Sequence, residues 1–201
     1  MNNRTLGLLA IIGAPFLCID FLIHGMNASE AQYEHTSLSG FFSVIYITAW
    51  MCSIIVMQRM KLTGETMFGK FILVFQLITL TLANVWNIYE IIAPGSSGIL
   101  YNLLDMFWPV SNLVLLITGV TILKAGRLQG WKRFVPLLAG IWLPLSVLLM
   151  ILIGQNSISM VLSGFYSALM WMTLGYVVFT NSKYEIVPST WYKYSSPFNI
   201  E

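Results

Sequence analysis

The chain has 201 residues, 57% of them hydrophobic and only 9% charged, and its formal net charge is +2. A soluble domain carries about a quarter of its residues as charged side chains, so this composition excludes an ordinary water-soluble globule and points to a chain solvated by lipid. A charge this small, scattered over short segments without a basic stripe, also excludes nucleic acid as a partner.

A membrane-crossing helix needs about 20 mostly apolar residues. In chain order six runs meet that length, at 5–26, 39–58, 69–93, 98–123, 134–154 and 158–180, followed by a tail at 181–201. None alternates with a period of two, which excludes a β-barrel, and unpaired amides are too costly in hydrocarbon for any backbone other than helix. The expected fold is therefore all-α, a compact bundle of six transmembrane helices.

The first run contains Pro15, Asp20 and His24, and its small residues Ala10 and Ala14 stand four apart, a spacing that permits close helix contact. Arg4 before it and Ser29-Glu30-Ala31 after it also fit a cleaved signal peptide. The run is longer than a signal core and is interrupted by Pro15 and Asp20, so it is read as a retained span. Asn27-Ala28-Ser29 matches a glycosylation sequon but lies too near the membrane to serve as one. Cys18 and Cys52 fall within apolar runs at different depths, which argues against a disulfide between them. The joints Pro94-Gly95-Ser96-Ser97-Gly98 and Gln155-Asn156-Ser157 carry turn chemistry and make their flanking runs antiparallel neighbours. Pro15, Pro109 and Pro144 each remove a backbone bond inside a run, and the carbonyl that Pro109 frees is that of Asp105. Trp131, Trp142, Tyr176, Trp191 and Tyr192 are expected as anchors at the membrane surface. The tail has prolines and aromatics suited either to lying on the membrane or to docking a partner subunit.

Six spans place Arg4, Arg59, Lys61, Lys70, Lys124, Arg127, Lys132, Arg133, Lys183 and Lys193 on one side, and none on the other, whose longest loop, 27–38, carries Glu30, Glu34 and His35. The basic side is expected to be cytoplasmic, with both termini there and the protein in the cell (plasma or inner) membrane. Repetition supports a hairpin architecture. Leu8-Leu9-Ala10, Pro15 and Gly25 recur at the same spacing as Leu137-Leu138-Ala139, Pro144 and Gly154, and Leu38-Ser39-Gly40-Phe41 recurs as Leu162-Ser163-Gly164-Phe165. Chance produces such matches readily from few apolar letters; common ancestry would make the bundle three related helical hairpins around a central space.

Ionisable side chains at membrane depth cost at least about 2.5–3.5 kcal/mol and mark candidate sites. Here they are Asp20, His24, Glu90 and Asp105. Asp20 and His24, four apart, share a helix face. In the third run Gln76, Thr79, Ala83, Asn87 and Glu90 form one stripe, and in the fourth Tyr101, Asn102, Asp105, Trp108 and Asn112 form another. Asp20, His24, Asn87, Glu90, Tyr101, Asn102 and Asp105 all lie in the outer half, and the first, third and fourth spans are expected to turn them toward a shared outward-facing pocket, with Glu90 the member nearest the surface. Three carboxyls and one imidazole without an intramembrane Lys or Arg favour positive charge: a proton, a metal ion or an organic cation. The bland alternative is polar glue, with Asp20 on His24, Glu90 reaching the interface and Asp105 bonded to Tyr101 or Asn102.

Two histidines give a metal site thin support and argue against a multi-haem cytochrome. No membrane lysine offers a Schiff base, Gly-x-Ser-x-Gly is absent, and phosphate-loop and Rossmann glycine patterns are missing. No cofactor is indicated. In length, span number and small-residue spacing at Ala10 and Ala14, the chain resembles, in architecture alone, the substrate-binding subunits of energy-coupling-factor transporters. The expected function is a small transporter or a solute- or cation-binding membrane subunit, acting alone, as a homo-oligomer or with a partner. Its alternatives are an intramembrane enzyme acting on a lipid or quinone with Asp20 and His24 as acid–base pair, and an accessory subunit whose polar faces only hold helices together.

Overall fold

The computed structural model describes residues 1–25 and 35–181. The sequon, Ser29-Glu30-Ala31, Glu30, Glu34 and the tail from 182 onward, with Lys183, Lys193, Trp191 and Tyr192, lie outside the described residues. Every described element is helical. In chain order they are α1 (Asn3–Gly13), α2 (Phe16–Gly25), α3 (Ser37–Arg59), α4 (Met67–Ile92), α5 (Ile99–Asp105), α6 (Phe107–Ala125), a 3₁₀ turn (Gly130–Phe134), α7 (Val135–Gly140), α8 (Trp142–Ile153) and α9 (Ser157–Asn181).

Five helices are long and apolar enough to cross a membrane, and the pair Gly130–Gly140 and Trp142–Ile153, bent by 53°, makes a sixth if it is one broken span. The expected bundle is thus present, and the prolines explain where its spans break. Pro15 lies in the two-residue gap between α1 and α2; Pro109 and Pro144 each stand three residues after the interrupting Met106 and Ile141. A proline cannot donate to the carbonyl four residues earlier and its ring crowds that turn, so the helix opens just before it.

Neighbours in the chain are neighbours in space. α1 packs on α3, α3 on α4, α4 on α6, α6 on α7 and α7 on α9, and α9 returns to α1 and α2, closing a ring. α3 and α9 also touch across its middle. The ring closes tightly because glycines face backbone at its seams. A Cβ on Gly119 would stand 2.4 Å from Leu137 Cα and one on Gly140 2.5 Å from Leu116 Cα, joining α6 to α7; Gly7 against Phe179 and Gly175 against Ile11 join α1 to α9 in the same way. Ala10 and Ala14, the small pair read from the sequence, are buried within this packing.

The centre holds aromatic rings. Trp50 and Trp171 meet edge to face at 5.1 Å, with Tyr46 and Trp142 packed against them. Trp142 is therefore not an interfacial anchor: the break at Ile141 turns it inward, where its indole N–H donates to the Ser163 carbonyl at 2.8 Å. Trp131 and Tyr176 are exposed as expected. Large apolar side chains such as Phe71, Ile78, Leu103, Ile117, Ile151 and Leu169 cover the outside, a surface that only lipid solvates well. Beside the bend, Leu113, Leu143, Pro144, Val147, Leu148 and Ile151 line an open groove of about 430 Å³; it is apolar and holds none of the carboxylates.

The described Lys and Arg residues gather at one end. Arg59 donates to the Met1 carbonyl at 3.0 Å, Lys132 donates to Thr180 at 3.3 Å, and Lys61, Lys70 and Arg127 surround Glu65. The hydrogen bond from Lys61, helped by the other cations, holds the exposed Glu65 carboxyl below its usual range. Cys18 and Cys52 are free and buried. The fold is a polytopic helical bundle with one basic end.

Candidate functional site

At the end opposite the basic residues, the N-terminus of α3 lies between two buried carboxylates. Thr36 caps α3, its hydroxyl accepting from the Ser39 amide at 3.1 Å. The cap starts the helix at Ser37, two residues ahead of the predicted run, and so draws His35 and Thr36 in to the mouth of the bundle.

On one flank is Asp20, fully buried on α2. Its Oδ1 accepts from His24 Nδ1 at 2.8 Å and its Oδ2 from the Ser39 hydroxyl at 3.1 Å. The other imidazole nitrogen, His24 Nε2, lies 2.9 Å from Thr36 Oγ1. A proton on Nδ1, which the neighbouring carboxylate favours, leaves Nε2 to accept from the hydroxyl.

On the other flank is Glu90, 1% exposed near the end of α4. His35 Nδ1 meets its Oε1 at 3.0 Å, and the Tyr101 hydroxyl, from α5, donates a short bond to its Oε2. The Gly95 amide stands 3.5 Å from the same oxygen. Around this acid Trp86, Tyr89 and Tyr101 form an aromatic wall: the Tyr101 ring lies 5.3 Å from Trp86 and 5.6 Å from Tyr89, and the His35 ring, 6.1 Å from Trp86, stands edge-on to it. α4 can bring Glu90 and Asn87 this close to α3 because Gly40 faces the Asn87 carbonyl, where a Cβ would come to 2.9 Å.

The predicted α4 stripe is real: Gln76, Thr79, Ala83, Asn87 and Glu90 are all buried. Of the seven predicted site residues, Asp20, His24, Asn87, Glu90 and Tyr101 are buried at this end. Asn87 donates to Asn84 at 3.1 Å and touches neither carboxylate network through a hydrogen bond. Asn102 and Asp105 are exposed, which corrects the expectation for the fourth span. The reason is a rotation of the short α5: its inner edge runs through Tyr101 and Leu104, and at about 100° per residue that edge turns Asn102 and Asp105 outward. Nor is Glu90 a surface member, since His35 and Tyr101 enclose it.

A single shared pocket also gives way to a divided arrangement. Asp20 and His24 bond the α3 cap, Glu90 and Tyr101 bond His35, and among the described residues the two networks adjoin at His35 and Thr36. Sequence reasoning missed His35, Thr36 and Ser39 as site residues. Their signal was a Thr three residues before a Ser at the head of an apolar run, the pattern of a helix start.

Each carboxylate is bonded by a described imidazole, and every described Lys and Arg is at the other end. No cluster of three or more metal-ligating side chains occurs among the described residues. No protein family, curated protein or solved structure matches the chain.

Proposed function

We propose that this chain is a small transporter or solute-binding subunit of the cell membrane, with its basic end cytoplasmic, and that Glu90 marks an outward-facing site for a small organic cation. The observation that carries the reading is the setting of Glu90: a buried carboxylate at a helix end, bonded by Tyr101, whose ring packs against Trp86 and Tyr89, and by the imidazole of His35, its one cationic neighbour among the described residues, whose side chain is 41% exposed. A buried acid beside aromatic faces attracts cations both by charge and through the ring quadrupoles. His35 occupies the place that a solute's positive group would take, and its exposure lets it yield. The Trp86 indole N–H is buried without a partner among the described residues, which adds a donor for an acceptor atom on the same solute.

The test uses purified protein in detergent and two salts at equal ionic strength, tetramethylammonium chloride and sodium chloride. A ligand that binds only the folded state raises the thermal midpoint. The expected result is a higher midpoint in tetramethylammonium, a larger rise in His35→Ala and none in Glu90→Gln. Equal midpoints in the two salts for both the unaltered chain and His35→Ala reject the reading.

A further inference from the structure

On the other flank of α3, we infer that Thr36 is a nucleophile activated by His24 and Asp20, and that the chain cleaves carboxylic esters at the membrane surface. The inference does not rest on the cation site, because none of its atoms belongs to the Glu90 network.

The geometry is that of a hydroxyl, a base and an orienting acid in line. Thr36 Oγ1 lies 2.9 Å from His24 Nε2, and His24 Nδ1 lies 2.8 Å from Asp20 Oδ1. A nucleophile within hydrogen-bond reach of an imidazole that a carboxylate holds from behind is the diagnostic arrangement for covalent catalysis, whatever the fold. Capping alone accounts for the bond from the Ser39 amide to Thr36 Oγ1, but it needs neither an imidazole aimed at the same oxygen nor a buried acid behind that imidazole. The two uses reinforce each other. As N-cap of a 23-residue helix, the Thr36 oxygen sits at the positive end of the helix dipole and receives an N–H bond, both of which stabilise negative charge developing on it. Ser39 is a positioning residue, giving its amide to Thr36 and its hydroxyl to Asp20. The amides of Ser37 and Leu38, at the start of α3, have no partner within the helix and are the donors nearest in the chain for a carbonyl oxygen attacked by Thr36. Thr36 itself is partly exposed.

The reaction balances with water as the only co-reactant. Thr36 Oγ1 bonds to the acyl carbon while its proton passes to His24 Nε2. The bond from that carbon to the alcohol oxygen breaks, and the departing alcohol takes the proton from Nε2. Water then attacks the acyl–Thr36 ester, giving a proton to Nε2; the acid leaves, and the proton returns to Thr36. Throughout, Asp20 holds the Nδ1 proton.

The experiment incubates the full chain in lipid nanodiscs with p-nitrophenyl butyrate, and separately with an alkyl fluorophosphonate followed by peptide mass spectrometry. Expected are release of nitrophenol above the protein-free rate, a phosphonyl adduct on Thr36, no turnover in Thr36→Ala, rescue in Thr36→Ser, and a rate lower by roughly 10²–10⁴-fold in His24→Gln. Asp105→Asn keeps the full rate. Labelling of Thr36 and the thermal shift in tetramethylammonium are separate readouts, so the cation reading and this one fail separately. Because labelling is read on the unaltered chain, a variant that misfolds does not blunt the test. Hydrolysis no faster than in empty nanodiscs, with Thr36 unlabelled, overturns the inference, as does turnover that survives Thr36→Ala.

Discussion

Glu90 and Asp105 are two acids whose surroundings reverse the expectation from depth alone. Glu90, near a span end, is enclosed, and the Tyr101 hydroxyl satisfies one of its oxygens. Among the described residues, Tyr101→Phe leaves that oxygen only the Gly95 amide at 3.5 Å, and an unsatisfied buried charged group costs at least about 1–3 kcal/mol. Asp105, exposed on α5 inside the span Ile99–Ala125, has lipid rather than water around it, and a carboxylate at that depth is a cost that Asp105→Asn relieves, so this variant is expected to be at least as stable as the unaltered chain. Denaturant titration of both variants in detergent measures the contrast, and equal losses would contradict the placement of either residue. The sequence placed Asp20 and His24 on one helix face, because four residues on a helix is a fixed geometry. It could not show which way α5 turns, because Tyr101 and Leu104 compete with Tyr101 and Asp105 for the inner edge, and the winner depends on packing against α4.

At the scale of helices, the spans were legible because hydrocarbon requires long apolar runs: the predicted ends lie within a few residues of α3, α4 and α9. The interruptions were half legible. Pro15, Pro109 and Pro144 announce a weak point, but whether a helix bends at one is decided by its neighbours: α7 and α8 diverge by 53° while the span Asn3–His24 passes as one. The seam between α6 and α7 shows what the neighbours require. Gly119 and Gly140 bring two backbones into contact, and a Cβ on either lies under 3 Å from main-chain atoms. Main chain yields less readily than side-chain ends, so Gly140→Val is expected to cost about 1–3 kcal/mol or more. The same substitution at Gly98, where nothing lies within 4 Å of the added atom, is expected to be nearly silent. Thermal midpoints of the two variants, compared with the unaltered chain, check this.

For the whole molecule, the ring order explains why the polar residues divide. α3 stands between α2 and α4, so its cap receives Asp20 and His24 from one side while His35 meets Glu90 from the other; a count of acids per span cannot reveal that a helix end intervenes. The segregation of the basic residues, by contrast, follows from six spans and short loops, and the described cations do lie together. If that end is cytoplasmic, a Ser97→Cys reporter in a chain lacking Cys18 and Cys52 reacts with a membrane-impermeant maleimide on intact cells. A Glu65→Cys reporter then reacts only after lysis. The reverse pattern inverts the topology and moves both carboxylate networks to the cytoplasmic face.

The meeting of Gly7 with Phe179 and of Gly175 with Ile11 has a consequence for biosynthesis. These contacts join the first and last of the described helices, so the face of α1 that receives α9 is covered only after the intervening spans have been made.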